Sequence, residues 1–295
     1  MDPLTHKQLM LHGSWLLWPL IVWLIWRLRR AGNGRPVVAI ALATMLVLAW
    51  VRFVEPQWIH VRHHTLAGTG AQARIALISD VHLGVYKDAA FLRRVVDRLN
   101  ALSVDAVVIA GDLTYEPQGH QLATLFAPLG DLNAPAFAVL GNHDQQRPGP
   151  DVDAELRAAL ATLGVNVLEG KQLPPANGFA WAGLGDRWAG KDDGSFINAA
   201  DGPVIVVAHN PDSAMDLRPD QTTLVLAGHT HGGQIRLPWI YPRIIPSQYG
   251  FDRDEQVAQT PHGPVRVFTS SGLGEVGLPL RLFNPPVIDV LTLQP

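Results

Sequence analysis

The sequence predicts an α/β sandwich of mixed β-sheets flanked by helices, preceded by an apolar helical hairpin at the amino terminus. Three observations carry this expectation. Short runs rich in Val, Ile and Leu alternate with helical patterns from residue 74 onward; further strands follow residue 179 without intervening helices; two long apolar runs precede residue 56. The predicted organisation is a membrane anchor over 1–56, a linker over 57–73 and a globular domain over 74–295.

The anchor comes first in the chain. Residues 9–26 are apolar except His12 and Ser14, and residues 37–51 except Thr44, extending to Val54 if Arg52 snorkels. As helices of about 18 residues, each run reaches roughly 27 Å, close to the hydrocarbon thickness of a bilayer. Six of the nine tryptophans lie here (Trp15, Trp18, Trp23, Trp26, Trp50, Trp58), several near the predicted ends, where indole favours the headgroup layer. Pro19 should kink the first span. The alternatives are a cleaved signal peptide and a buried hairpin; two runs around a basic loop argue against the former. That loop carries Arg27, Arg29, Arg30 and Arg35, and the positive-inside rule keeps it cytoplasmic. The domain then faces the outer side.

Composition bounds the rest. At 47% apolar and 17% charged residues, the 295-residue chain is not intrinsically disordered. It has no cysteine, which excludes a disulfide framework, a thiolate zinc site and a thiol nucleophile. Its net charge of -3 hides an asymmetry: residues 1–62 hold seven basic and two acidic residues, the remainder 16 and 24. So acidic a body suits no sequence-independent contact with nucleic acid, and none is expected.

Five apolar runs read as buried parallel strands: 74–78, 106–110, 136–140, 204–208 and 223–227. Helices are expected over 89–102 and 152–163, with Asp88 and Asp151 as N-caps and Gly164 as C-cap. Strands over 179–184, 265–270 and 287–293 make the sheet mixed.

The strand ends carry the chemistry. The first runs into Asp80-Val81-His82, the second into Gly111-Asp112, the third into Gly141-Asn142-His143-Asp144. The fourth ends in His209-Asn210-Pro211 and the fifth in Gly228-His229-Thr230-His231. Ligands bind outside the carboxyl ends of strands in open α/β sheets, so five such ends converging on one edge define a site. Imidazole, carboxylate and amide ligands suit zinc, manganese or iron, and their number exceeds what one tetrahedral ion uses and fits two. Two ions need a bridging carboxylate, and Asp112, alone on its loop, is the natural choice.

Together these blocks resemble the signature of the calcineurin-like metallophosphoesterases over about residues 75–293. The strings Ala208-His209-Asn210-Pro211-Asp212 and Gly228-His229-Thr230-His231-Gly232-Gly233-Gln234-Ile235 are similar to those of the bacterial membrane-associated phosphodiesterase branch. That branch includes enzymes cleaving the pyrophosphate of a UDP-linked lipid A precursor. The resemblance implies two divalent cations, manganese first, with iron and zinc as alternatives. It implies Asp80, His82 and His231 on one cation, Asn142, His209 and His229 on the other, and Asp112 bridging. His143 would protonate the leaving oxygen, its ring held by Asp144 or Asp80. Where the family often has Glu after the paired prolines, this chain has Val287, a position that is no metal ligand. The implied activity is hydrolysis of a phosphodiester or pyrophosphate, including that of a lipid-linked substrate, at the inner membrane. The alternatives are a phosphomonoesterase or protein phosphatase on the same site and a catalytically silent metal-binding scaffold; a scaffold should have lost His143 or a ligand, and none is missing. The aromatic loop 239–251 reads either as a packed loop or as a substrate flap, in which Trp239 meets an acyl chain and Arg243 a phosphate.

Overall fold

The computed structural model describes residues 3–117, 121–145 and 150–295. Helices α1 (Pro3–Gly13) and α2 (Leu17–Arg30) are joined by a 3-10 turn, Ser14–Leu16. Pro19 has no N–H for the carbonyl of Trp15, and the tightened turn falls at that residue. Helix α3 (Arg35–Ala49) runs on through a π turn, Trp50–Val54, and a 3-10 turn, Glu55–Gln57. Both helical stretches, Leu4–Arg30 and Arg35–Gln57, are long and apolar enough to cross a membrane. Only 11% of each apolar window is buried, which does not fit a hairpin inside a soluble core. Arg52 turns to the neighbouring helix, its Nε donating to Ser14 Oγ at 2.9 Å.

The body follows as β1 (His60–Leu66), β2 (Ala73–Ile78), β3 (Leu83–Gly84), α4 (Ala89–Asn100), β4 (Ala106–Ala110), β5 (Thr114–Tyr115), α5 (Leu122–Phe126), β6 (Ala136–Val139), α6 (Asn142–Gln145) and α7 (Asp153–Thr162). The second half is mostly strand: β7 (Val165–Val167), β8 (Lys171–Gln172), β9 (Ala180–Gly183), β10 (Val204–Val207), β11 (Leu224–Ala227), β12 (Asp254–Thr260), β13 (Gly263–Thr269) and β14 (Val287–Leu293). They form two six-stranded mixed sheets, β1-β14-β2-β4-β6-β7 and β12-β13-β11-β10-β9-β8, with a parallel pair β3-β5 beside them.

Side-chain alternation explains the layers. In β2, Ala76 and Ile78 face helices α4, α5 and α7, while Ile75 and Leu77 face the second sheet. In β10, Ile205 and Val207 meet the first sheet, and Val204 and Val206 pack outward beneath Ala214, Leu217 and Phe251. Both faces of the central strands are therefore buried, which is why they read as unbroken apolar runs. The five expected strands are present, but they divide between the two sheets instead of sharing one. The outer face of the second sheet is covered by a 3-10 turn, Pro211–Asp216, and loops rather than by long helices.

Two local expectations are corrected. Residues 57–73 read as a polar linker, yet β1 pairs in parallel with β14 along its whole length, His60 opposite Val287 and Leu66 opposite Leu293. An edge strand buries one side only, so its polar residues mask it, and its partner lies more than 200 residues away in sequence. Asp151 does not cap α7: Val152 is the capping residue, and Asp151 accepts instead from Asp153 N at 3.1 Å. Asp88 does cap α4, its Oδ1 accepting from Phe91 N at 2.9 Å, and Gly164 closes α7 with φ +77°.

The hairpin is sewn to the body. Lys7 pairs with Glu116 and lies 4.3 Å from the centre of the Tyr115 ring; Lys87 Nζ donates to the Pro56 carbonyl. Replacing Asp88 with Ala should cost about 1 kcal/mol of stability, the usual loss for an N-cap, without changing hydrolysis. Denaturant unfolding alongside an activity assay checks this.

Candidate active site

Five of the expected residues leave their strands in a conformation that L-residues rarely adopt. Asp80, His82, Asp112, His229 and His231 all have positive φ, between 50° and 71°. Such backbone is costly and persists where the surroundings over-determine it, which is characteristic of functional sites. The glycines before them have a steric reason. A Cβ on Gly111 would lie 2.5 Å from His209 Nδ1, one on Gly141 2.1 Å from Asp112 Oδ1, and one on Gly228 2.7 Å from Asp80 Oδ2. Only glycine lets the two sheets bring these loops so close.

The side chains fall into two buried triads, Asp80–His82–His231 and Asp112–His209–His229, each with ligand atoms within 4.8 Å of one another. In the first, His82 Nε2 is 3.0 Å from His231 Nε2, and His231 Nε2 is 3.4 Å from Asp80 Oδ1. In the second, His209 Nε2 is 3.1 Å from His229 Nδ1. Asp112 Oδ2 lies between them, 3.5 Å from His82 Nε2 and 3.3 Å from His209 Nε2. Its other oxygen accepts from His143 N at 2.9 Å. The far nitrogens of two rings are fixed by carbonyls: His82 Nδ1 bonds Thr114 O at 3.2 Å and His209 Nδ1 bonds Ala110 O at 2.8 Å. Outer bonds of this kind orient an imidazole and aim its second nitrogen.

Pairs of imidazole nitrogens 3.0 to 3.1 Å apart, each pair beside a carboxylate, form donor sets that suit a divalent cation. Asn142 Oδ1 is buried and unpartnered among the described residues, as a waiting oxygen ligand would be. Burial lowers His82 and His229 to about 3 and His231 well below its ordinary value, leaving lone pairs free. Burial acts the same way on His209, but Asp112, Asp80 and Asp186 outweigh it and raise that ring to about 10. Burial also opposes charge on Asp112, and His209, His143 and His82 overcome it, holding the carboxyl well below its usual range. Burial pushes Asp80 up to about 7. The cluster thus calls for positive charge at its centre.

The expected hold on the His143 ring is not there. Asp144 Oδ1 and Oδ2 instead accept from Leu113 N, Thr114 N, Thr114 Oγ1 and Gly141 N, bracing the loop that carries Asp112. Asp80 accepts from His229 N. Four donors within reach saturate Asp144, so no lone pair remains for the ring. His143 is 6% exposed, with its ring 5.0 Å from that of His82 and 5.2 Å from that of Tyr115.

A cavity of about 430 Å³ opens above the triads, with Asp112, Asn142, His143, His229 and His231 at its base. One wall is Trp188, Ile244 and Pro246; the other is Val276, Gly277 and Leu278. Trp239 and Arg243 are not part of the lining: Trp239 is 69% exposed, and the Arg243 guanidinium folds back onto the Trp239 carbonyl within its own turn. The loop is nonetheless anchored, because Asp212 accepts from Ser247 Oγ and Gln248 N. The opposite wall is held by Gln234, which bonds Val276 and Leu278, and by Tyr115 and Tyr86, which bond Gly277.

Trp188, edge-on to His229 at 4.6 Å, and the buried Asp186 were missed in the sequence. A signal was available: β9 ends in Gly183-Leu184-Gly185-Asp186, the same strand, Gly and Asp order as at Gly111-Asp112.

Residues 73–233 match the calcineurin-like phosphoesterase family, and the chain belongs to that family. It is a phosphoric ester hydrolase. Among its relatives is the uncharacterized metallophosphoesterase YkuE of Bacillus subtilis, 33% identical over 257 residues, covering 83% of this chain and 89% of YkuE. Phosphodiesterase YaeI of Escherichia coli is 28% identical over 265 residues, covering 86% and 96%. The UDP-2,3-diacylglucosamine pyrophosphatase LpxG of Chlamydia trachomatis is 27% identical over 267 residues, covering 70% and 80%.

Gly141→Ala tests the packing directly. The added methyl collides with Asp112, so the folded variant should lose divalent-cation binding, measured by elemental analysis after dialysis, while far-UV circular dichroism stays unchanged.

Proposed function

We propose that the chain is a membrane-anchored phosphodiesterase or pyrophosphatase that uses two divalent cations and acts on an amphiphilic substrate. The observation that carries the two-cation reading is the position of Asp112 Oδ2 between a histidine of each triad. In this reading Asp80, His82 and His231 hold one cation, Asn142, His209 and His229 the second, and Asp112 serves both. Manganese suits the mixed nitrogen and oxygen donors, with iron and zinc as alternatives. Cations bound there polarise the phosphoryl group and lower the pKa of water. His143 lines the same cavity and donates the proton to the departing oxygen. Asp144 contributes by holding the loop of Asp112 in place.

The amphiphilic substrate is supported by three features. The cavity walls are apolar at Trp188, Ile244, Val276 and Leu278. Two helices long and apolar enough to span a bilayer are bonded to the body that holds the cavity. Relatives include a phosphodiesterase and a pyrophosphatase of a diacylated sugar nucleotide. The arginine-rich loop between the spans favours a cytoplasmic position for that loop, with the body on the outer face of the inner membrane.

His143→Ala should reduce turnover on an aryl phosphodiester by about 10²–10⁴ and retain both cations, as expected of a general acid. Asp112→Ala should empty the site. Metal analysis beside steady-state kinetics distinguishes them, and equal loss of metal in both variants contradicts the assigned roles. Ile244→Ser combined with Leu278→Ser should raise KM for an acylated substrate and spare a small aryl phosphodiester; parallel losses on both would count against a lipid-accepting wall.

A further inference from the structure

The end of the second span reaches the site through a short buried relay. Glu55, the first residue of the 3-10 turn that closes the span, is 4% exposed. Its Oε2 accepts from Trp50 Nε1 at 3.2 Å, and its Oε1 accepts from Asn284 N at 2.7 Å. Asn284 is 1% exposed, and its Nδ2 donates to the carbonyl of His231 at 2.5 Å. Arg281 fastens the same strap. The π turn leaves the Val51 carbonyl free to accept from Arg281 N at 3.0 Å, and the fully buried Arg281 guanidinium donates to Ser271 O, Gly274 O and Asn284 O.

We infer that Glu55 and Asn284 are positioning residues for His231, so that the membrane span helps to build one of the two cation sites. This rests on the reading of His231 as a ligand. His231 holds φ +50°, and the next residue, Gly232, φ +54°; a Cβ on Gly232 would lie 2.8 Å from Ser271. A peptide unit in so unfavourable a conformation keeps it only while its polar groups are satisfied. Asn284 supplies the donor for the His231 carbonyl, and Glu55 fixes Asn284 from behind. The Asp112–His209–His229 triad makes no hydrogen bond to Glu55 or Asn284 among the described residues. Losing the relay should therefore weaken one cation site and spare the other, whereas general destabilisation would affect both.

The test is manganese titration of the full chain in detergent, followed by the signal of the free ion in electron paramagnetic resonance. The native chain should show two classes of site. Asn284→Ala and Glu55→Ala should each weaken one class by about 10–100-fold, the range for outer-shell partners, and leave the second unchanged. Asn284→Asp keeps the side-chain size but sets a carboxylate against the carbonyl, and should show the same selective loss. Glu55→Gln keeps an acceptor for Asn284 N, gives up only the bond from the half-exposed Trp50 Nε1, and should bind as the native chain does. Thermal unfolding in chelator checks that each variant is folded. Native affinity for both classes in Asn284→Ala and Asn284→Asp, or equal weakening of both, overturns the inference while the proposed function stands. A native chain that binds no manganese overturns the proposed function, and this inference with it.

Discussion

The structure turns on keeping the Asp112 carboxylate ionised inside the protein. An isolated buried carboxylate would be far too costly to remain charged. Asp112 is 2% exposed, yet its charge is supported by the His209 ring at 3.3 Å and by the backbone N–H of His143. That arrangement requires loops from two different sheets to meet within hydrogen-bonding distance. The glycines at 111, 141 and 228 and the positive φ values of the neighbouring residues follow from it. The bracing by Asp144 follows as well, since three of its four donors belong to the loop on which Asp112 sits.

The two-sheet architecture satisfies this requirement economically. Strands β2, β4 and β6 deliver Asp80, Asp112 and the 141–144 turn from one sheet; β10 and β11 deliver His209, His229 and His231 from the other. The apolar layer between the sheets, including Ile75, Leu77, Ile205 and Leu226, sets their separation. The strands thus position the ring nitrogens, and the carbonyls of Ala110 and Thr114 fix two of the rings in rotation. The third acidic cluster, His64, Asp254 and Asp289, is built differently: the Arg62 guanidinium bridges its two carboxylates at 2.8 Å. A resident cation already neutralises them, so that cluster ties β1 to β12 and β14.

The amino-terminal helices and the body are continuous in the same sense. Strand β1 starts three residues after the last helical turn and enters the first sheet at its edge, and Lys87, Arg281 and Asn284 bond the end of the span. The cavity wall at 276–278 lies in the segment that makes these bonds. The second apolar helix, the wall and the site share one hydrogen-bonded strap.

Much of this was legible in the amino-acid order. Doubly buried strands read as unbroken Val, Ile and Leu runs, and polar residues directly after them cannot be core, so Asp80, His82, Asp112, Asn142, His209, His229 and His231 stood out. The two apolar runs and the Asp88 cap were legible for the same reason, since each is a local pattern. Tertiary structure decided what depends on distant partners. Edge strand β1 is polar because only one side is covered, and its partner lies at the far end of the chain. Asp144 is turned from the His143 ring because Leu113 and Thr114 of a separate loop supply three of the four donors that saturate it. Trp239 and Arg243 face away while Trp188, Val276 and Leu278 line the cavity, because the course of a loop is set by its anchors, here Asp212 and Gln234, and not by its own composition.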